Sequence, residues 1–126
     1  MSEPRTSLTE ALRERTKQYA LRIIRLYGSL PATTEADVIG RQLLRSGTSI
    51  GANYREAYRA RSAGEYVAKL GICLQELDES GYWLELLADA GIFSPDKLAP
   101  LQDETNQLIA LLTTIVKKRK KERYEV

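Results

Sequence analysis

The sequence predicts an all-α protein, an antiparallel up-down-up-down four-helix bundle. Apolar residues recur at three- and four-residue spacing along four long stretches, the period of a helix with one buried face. Short segments carrying proline, glycine or a capping hydroxyl separate these stretches, and no stretch alternates as a half-buried strand does. A length of 126 residues fits one domain over residues 1–126, large enough to bury a core without disulfides or metals.

The first helix is expected over about residues 9–30, with Leu12, Thr16, Tyr19, Ile23, Leu26, Tyr27 and Leu30 on its inner face; Pro31 ends it. Thr33 or Thr34 caps the second, over about 34–60, and Asp37 follows Thr34 at capping-box spacing. Ala36, Ile39, Leu43, Ile50, Tyr54 and Ala57 form the inner face of this helix. Ser62 and Glu65 make a capping box for the third helix, over about 63–90, which turns Tyr66, Leu70, Cys73, Leu77, Leu84 and Ala88 inward and stops at Gly91, a left-handed cap residue. Ser94 and Pro95 begin a short turn or first helical turn, and because Pro100 has no amide hydrogen to donate, the long fourth helix is placed from there to about 121. Leu101, Leu108, Leu111, Leu112, Ile115 and Val116 supply its stripe. Connections this short make neighbours antiparallel.

Apolar residues make up 43% of the chain and charged residues 29%, the balance of a globular protein. A lone cysteine, Cys73, has no partner for a disulfide, which fits a reducing compartment. No run reaches the roughly 18 apolar residues of a membrane span, and the polar start of the chain does not read as a secretory signal. A cytoplasmic protein with no membrane association is expected. The net charge of +2 conceals an uneven distribution. Residues 1–61 carry eleven Lys or Arg against six acids, residues 62–97 two against seven, and residues 98–126 six against four. Such asymmetry suits a polyanion-binding face or complementary contacts between subunits.

At about 100° per residue, Arg41, Arg45, Arg55 and Arg59 share a narrow stripe of the second helix. Four guanidiniums on one ridge can read phosphates. Asp37 lies four residues before Arg41 and Glu56 borders the stripe, so a locally compensated, solvated face is the other reading. Gly40, Gly47 and Gly51 gather at the edge of the apolar face, where glycine costs about 1 kcal/mol against alanine, and mark a backbone that another helix approaches closely. On the third helix Ile72, Trp83 and Leu86 point away from the stripe of Leu70, Leu77 and Leu84. One bundle core cannot bury both faces, so these three are candidates for an oligomer interface; burial beneath loops is the alternative.

With no histidine in the chain, the usual proton shuttle and the commonest transition-metal ligand are missing. No phosphate-binding glycine loop is present, so no catalytic residue and no cofactor is assigned. Glu76, Asp78 and Glu79 diverge around their helix, which favours a solvated acidic face, or a partner for an arginine ridge on a neighbouring subunit, over a metal site. The basic run at 117–123 suits a helix C-terminus electrostatically and is an unspecific candidate for nucleic-acid contact.

The stretch from Arg15 to about Lys118 resembles the four-helix-bundle family named for the 23S rRNA intervening sequence, also called the S23 ribosomal protein family. The likeness is carried by Gln42-Leu-Leu-Arg-Ser-Gly-Thr-Ser-Ile-Gly-Ala-Asn-Tyr-Arg-Glu-Ala57, by Arg59-Ala-Arg-Ser62, Glu65 and Lys69-Leu-Gly71, and by Glu76 through Leu87 around Tyr82-Trp83-Leu84. Arg15-Thr-Lys-Gln-Tyr-Ala20 fits the family's opening helix. The resemblance implies a bacterial, cytosolic closed bundle assembling as a homopentamer. Some members are encoded inside insertions of 23S rRNA genes, and related accessory proteins of diversity-generating retroelements bind RNA and a reverse transcriptase.

The expected function is therefore that of a non-enzymatic oligomeric bundle that binds nucleic acid, RNA or DNA, with structured RNA foremost, through basic helix faces. The competing expectation is a protein-interaction scaffold without direct nucleic-acid binding, whose partner could be a protein such as a reverse transcriptase.

Overall fold

The computed structural model of the chain describes residues 7–124. Four helices, α1 (Ser7–Ser29), α2 (Thr34–Tyr58), α3 (Ala63–Asp89) and α4 (Pro95–Tyr124), form the all-α, up-down-up-down arrangement. Each helix packs on the next in the chain, and a lighter contact between α1 and α4 closes the bundle.

The helix ends follow from local chemistry. The Thr33 hydroxyl accepts the Ala36 amide at 3.2 Å and so caps α2, which leaves Asp37 for other partners. Ser62 accepts the Glu65 amide at 3.1 Å, while the Glu65 carboxylate reaches back to the Arg61 amide at 3.4 Å, one residue beyond the Ser62 amide that a full capping box would engage. α3 ends as its glycine requires. Gly91 takes φ +70, and the Gly91 and Ile92 amides return to the carbonyls of Ala88 and Leu87 at 3.1 and 3.0 Å, a Schellman closure.

The start of α4 differs from expectation. The helix begins at Pro95 rather than Pro100, because the Ser94 carbonyl accepts the amides of Lys97 and Leu98 at 3.1 Å and starts the turn five residues earlier. Pro100 is accommodated inside the helix since its missing amide would have served only the Asp96 carbonyl, on the exposed side. Burial of Leu98 and Leu101 in the core anchors the turn.

Inside, Leu12, Ile23, Leu43, Ile50, Leu70, Leu77, Leu84, Leu108 and Leu112 make the apolar core. Its middle is crossed by a polar layer with one side chain from each helix. Ser46 and Ser80 share a hydrogen bond of 2.8 Å, and the Tyr19 hydroxyl shares one of 2.7 Å with Thr105. These two bonds join α2 to α3 and α1 to α4. Buried hydroxyls are tolerable only when partnered, and among the described residues no buried side-chain nitrogen or oxygen lacks a partner.

Three glycines of α2 line its seam with α1. A Cβ added at Gly47 would lie 2.7 Å from Ile23 Cγ1, and one at Gly40 would lie 2.7 Å from Leu30 Cδ1. A Cβ added at Gly51 would lie 3.4 Å from the Thr16 carbonyl oxygen. The three glycines thus serve packing within the chain.

Cys73 is fully buried, its thiol donating toward the Ile50 carbonyl at 3.5 Å. Burial pushes the thiol from 9.0 up to about 12, and burial likewise raises the phenols of Tyr19, Tyr54 and Tyr66. A group whose folded pKa is raised binds its proton more tightly in the native state, so its contribution is complete below the unfolded value and is lost as pH rises through the folded one. For Cys73 that window runs from about 9 to about 12. Melting temperature followed by circular dichroism should fall across it, and Cys73→Ala should make the decline shallower.

Candidate functional site

The stripe of arginines on α2 is divided by the tertiary structure. Arg41 donates to Asp37 at 2.8 Å one turn earlier. Asp37 also accepts the Tyr27 hydroxyl at 2.8 Å. These two bonds, Arg41 first, hold the Asp37 carboxyl below the ordinary carboxylate range, while the same carboxylate raises the Tyr27 phenol. Arg41 nevertheless keeps most of its surface in water, so the pair compensates charge without hiding it.

Arg45 is engaged more fully. Its guanidinium bridges Glu76, at 3.3 Å, and Glu79 on α3 of the same chain. Two members of the acidic cluster therefore pair with the arginine ridge, within the chain, while Asp78 stays exposed on another face. Glu79 also accepts the Trp83 indole N–H at 3.1 Å.

Arg55 and Arg59 stand apart at the last turn of α2. Both are exposed and, with Arg61, line a groove of about 430 Å³ whose remaining walls are Glu56 and Glu65. Both carboxylates are already engaged, Glu56 with Lys69 at 2.6 Å and Glu65 with the Arg61 amide. The bundle also brings the basic end of α4 to this pole. Arg119 lies over the Tyr66 ring at 5.9 Å, which fixes α4 beside the first turn of α3, and Lys117, Lys118 and Lys120 remain exposed nearby along the helix. On α1, Arg13 stacks over Tyr58 at 5.5 Å. Cations from remote parts of the chain thus share one end of the bundle, a placement favoured at the C-termini of α2 and α4 by the helix dipoles.

Arg61 was not legible as a site residue in the sequence, because it lies in the connection beyond the helical stripe. Only its place beside the α2 terminus, at the rim of the groove, reveals it.

The second candidate surface lies on α3. Ile72, Glu76, Glu79, Trp83 and Leu86 follow one another at alternating steps of four and three, a stripe that runs beside α2 through Arg45. Ile72 is exposed, whereas Trp83 and Leu86 are half-buried, with Trp83 packed in part against its own core. Tyr82, 53% exposed, meets Trp83 edge-on at 5.1 Å. Intramolecular packing therefore covers the stripe only in part. Among the described residues no group of three or more His, Cys, Asp or Glu is placed to hold a metal ion, and no helix is long and apolar enough to cross a membrane.

Fold and surface together define an antiparallel four-helix bundle with a cationic pole and a partly covered apolar stripe along one flank. The chain belongs to the 23S rRNA-intervening sequence protein family, whose model matches residues 11–114. Among solved structures it is similar to a protein of unknown function from the S23 ribosomal protein family of Bacteroides thetaiotaomicron VPI-5482, with 36% sequence identity and a TM-score of 0.81. That likeness covers 86% of this chain and 97% of the other. No curated protein matches.

Proposed function

We propose that this protein is a non-enzymatic, cytoplasmic helical bundle that assembles into an oligomer and binds structured RNA through the groove of Arg55, Arg59 and Arg61. The supporting observation is the groove itself, where three arginines outnumber two carboxylates and one of those, Glu56, is paired with Lys69. Planar guanidiniums suit phosphate oxygens, and the lysines of α4 at the same pole extend the positive field. Arg41 and Arg45 contribute less, since Asp37, Glu76 and Glu79 already satisfy them. The assembly we propose is the homopentamer that the family resemblance implies, with Ile72, Trp83 and Leu86 in its seam. A ring repeats a modest patch and raises avidity.

The test is fluorescence anisotropy with a labelled structured RNA over a series of salt concentrations. Arg55→Ala with Arg59→Ala should weaken binding about tenfold and reduce the slope of log K against log salt by roughly two, about one per lost phosphate contact. Arg41→Ala should change affinity far less. Equal losses in the two variants, or no loss in either, would remove the groove from the interface.

A protein-interaction scaffold is the second reading, supported by the exposure of Ile72 and Tyr82 beside Trp83; a reverse transcriptase is the kind of partner the resemblance implies. Pull-down with and without nuclease separates the two. A partner retained after nuclease favours the scaffold, and co-purified RNA that nuclease removes favours the groove.

A further inference from the structure

A second cationic cleft lies at the opposite end of the bundle, where the last turns of α1 meet the start of α4. It has a volume of about 280 Å³. Its floor is apolar, made by Leu26, Leu98 and Leu101, all buried in the core. Arg22, Arg25 and Lys97 ring its mouth, and Phe93, half-buried, forms one wall, with the Lys97 ammonium 5.9 Å from its ring centre.

The charge of this cleft is uncompensated. Elsewhere in the bundle cations pair with acids across helices, as in Arg15–Glu104 at 2.6 Å and Lys69–Glu56 at 2.6 Å. Among the described residues no acid lines this cleft and no carboxylate lies within ion-pair distance of Arg22, Arg25 or Lys97. Three like charges around one cleft repel one another, and an anion bound among them relieves that repulsion. A bare inorganic anion would use the cations and leave the aromatic wall and leucine floor idle. A ligand that uses all three features carries a flat apolar body and a phosphate.

We propose that this cleft binds a nucleotide, the base against Phe93 and the leucine floor and the phosphate between Arg22, Arg25 and Lys97. The ligand is a free mononucleotide or an unstacked unit of single-stranded RNA, and both present the same chemistry. The site lies apart from the groove of Arg55, Arg59 and Arg61 and does not depend on it.

Protein with isotopically labelled leucine methyl groups, titrated with AMP and separately with inorganic phosphate, tests the proposal by nuclear magnetic resonance. A parallel titration uses single-stranded and duplex RNA of equal length, read by anisotropy. AMP should shift the methyl signals of Leu26, Leu98 and Leu101 saturably and bind more tightly than phosphate. Phe93→Leu keeps an apolar side chain in the wall and so preserves the fold. It should weaken AMP about fivefold or more, the scale of a lost base–aromatic stack. Arg22→Ala with Arg25→Ala should weaken AMP and phosphate alike, whereas Arg55→Ala with Arg59→Ala should leave the leucine shifts unchanged. If the occupant is a strand unit, Phe93→Leu weakens single-stranded RNA and spares the duplex; if it is a free nucleotide, only the AMP titration responds. The proposal is overturned if Phe93→Leu alters neither AMP nor single-stranded RNA binding, or if phosphate binds as tightly as AMP. Either result can arise with the other groove's RNA binding intact, and the leucine shifts remain decisive if that groove binds no RNA.

Discussion

Gly47→Val should destabilise the bundle by about 3 kcal/mol, the upper part of the range for forcing extra methyl groups into a packed core. Gly47 lies on the seam between α1 and α2, against Ile23. A bare Cβ there would already lie 2.7 Å from Ile23 Cγ1 and 3.2 Å from Ile23 Cβ. These atoms are near the root of a fully buried, β-branched side chain that cannot swing aside. Relief therefore requires the two helices to separate, which would also strain the polar layer one residue away, where Ser46 bonds Ser80. Gly28 is the control: nothing lies within 4 Å of a Cβ placed there, so Gly28→Ala should stabilise by less than about 1 kcal/mol through helix propensity alone. Urea unfolding monitored by circular dichroism reads both. A Gly47→Val protein as stable as the parent would show that α1 and α2 do not approach as described.

Trp83→Asp should dissociate the proposed oligomer while leaving the subunit helical. Large apolar side chains contribute roughly 1.5 to 3 kcal/mol each when buried, and aromatic anchors dominate many interfaces. The substitution removes such an anchor at every seam and places a carboxylate one turn from Glu79, which loses the indole N–H it accepts at 3.1 Å. The inner stripe of Leu70, Leu77 and Leu84 is untouched and remains fully buried, so the bundle should persist. Light scattering with circular dichroism distinguishes the outcomes. A helical monomer is expected, an intact assembly would exclude Trp83 from the seam, and an unfolded chain would assign the residue to the subunit core.

The helical period and the punctuation between helices were enough to place all four helices, because both act over a few residues and leave their mark on local sequence. Tyr19, Leu43, Leu70 and Leu108 are readable as core for the same reason: each repeats at the spacing that keeps it on one face. The start of α4 was misread because Pro100 is a strong local signal for a helix start. The competing pull of Leu98 and Leu101 toward the core is a tertiary effect. Ser46, Ser80 and Thr105 gave no sign of being buried, since a hydroxyl looks like a surface residue until its partner on another helix is known.

For the sites the division is sharper. The stripe of Arg41, Arg45, Arg55 and Arg59 and the outlying apolar set of Ile72, Trp83 and Leu86 are properties of single helices, and the sequence alone determined them together with the all-α class and the family's central motif. What only the tertiary structure decided is which charges remain available. Glu76 and Glu79 reach Arg45 from 31 and 34 residues away, while Arg55 and Arg59 meet Arg61 around a groove in which Glu56 is paired with Lys69. Lys97 joins Arg22 and Arg25 only because α4 returns to the end of α1. A helix face is fixed by rotation about one axis and is written in local spacing, but the compensation of a charge depends on the distance to every other charge, which the packing of all four helices sets.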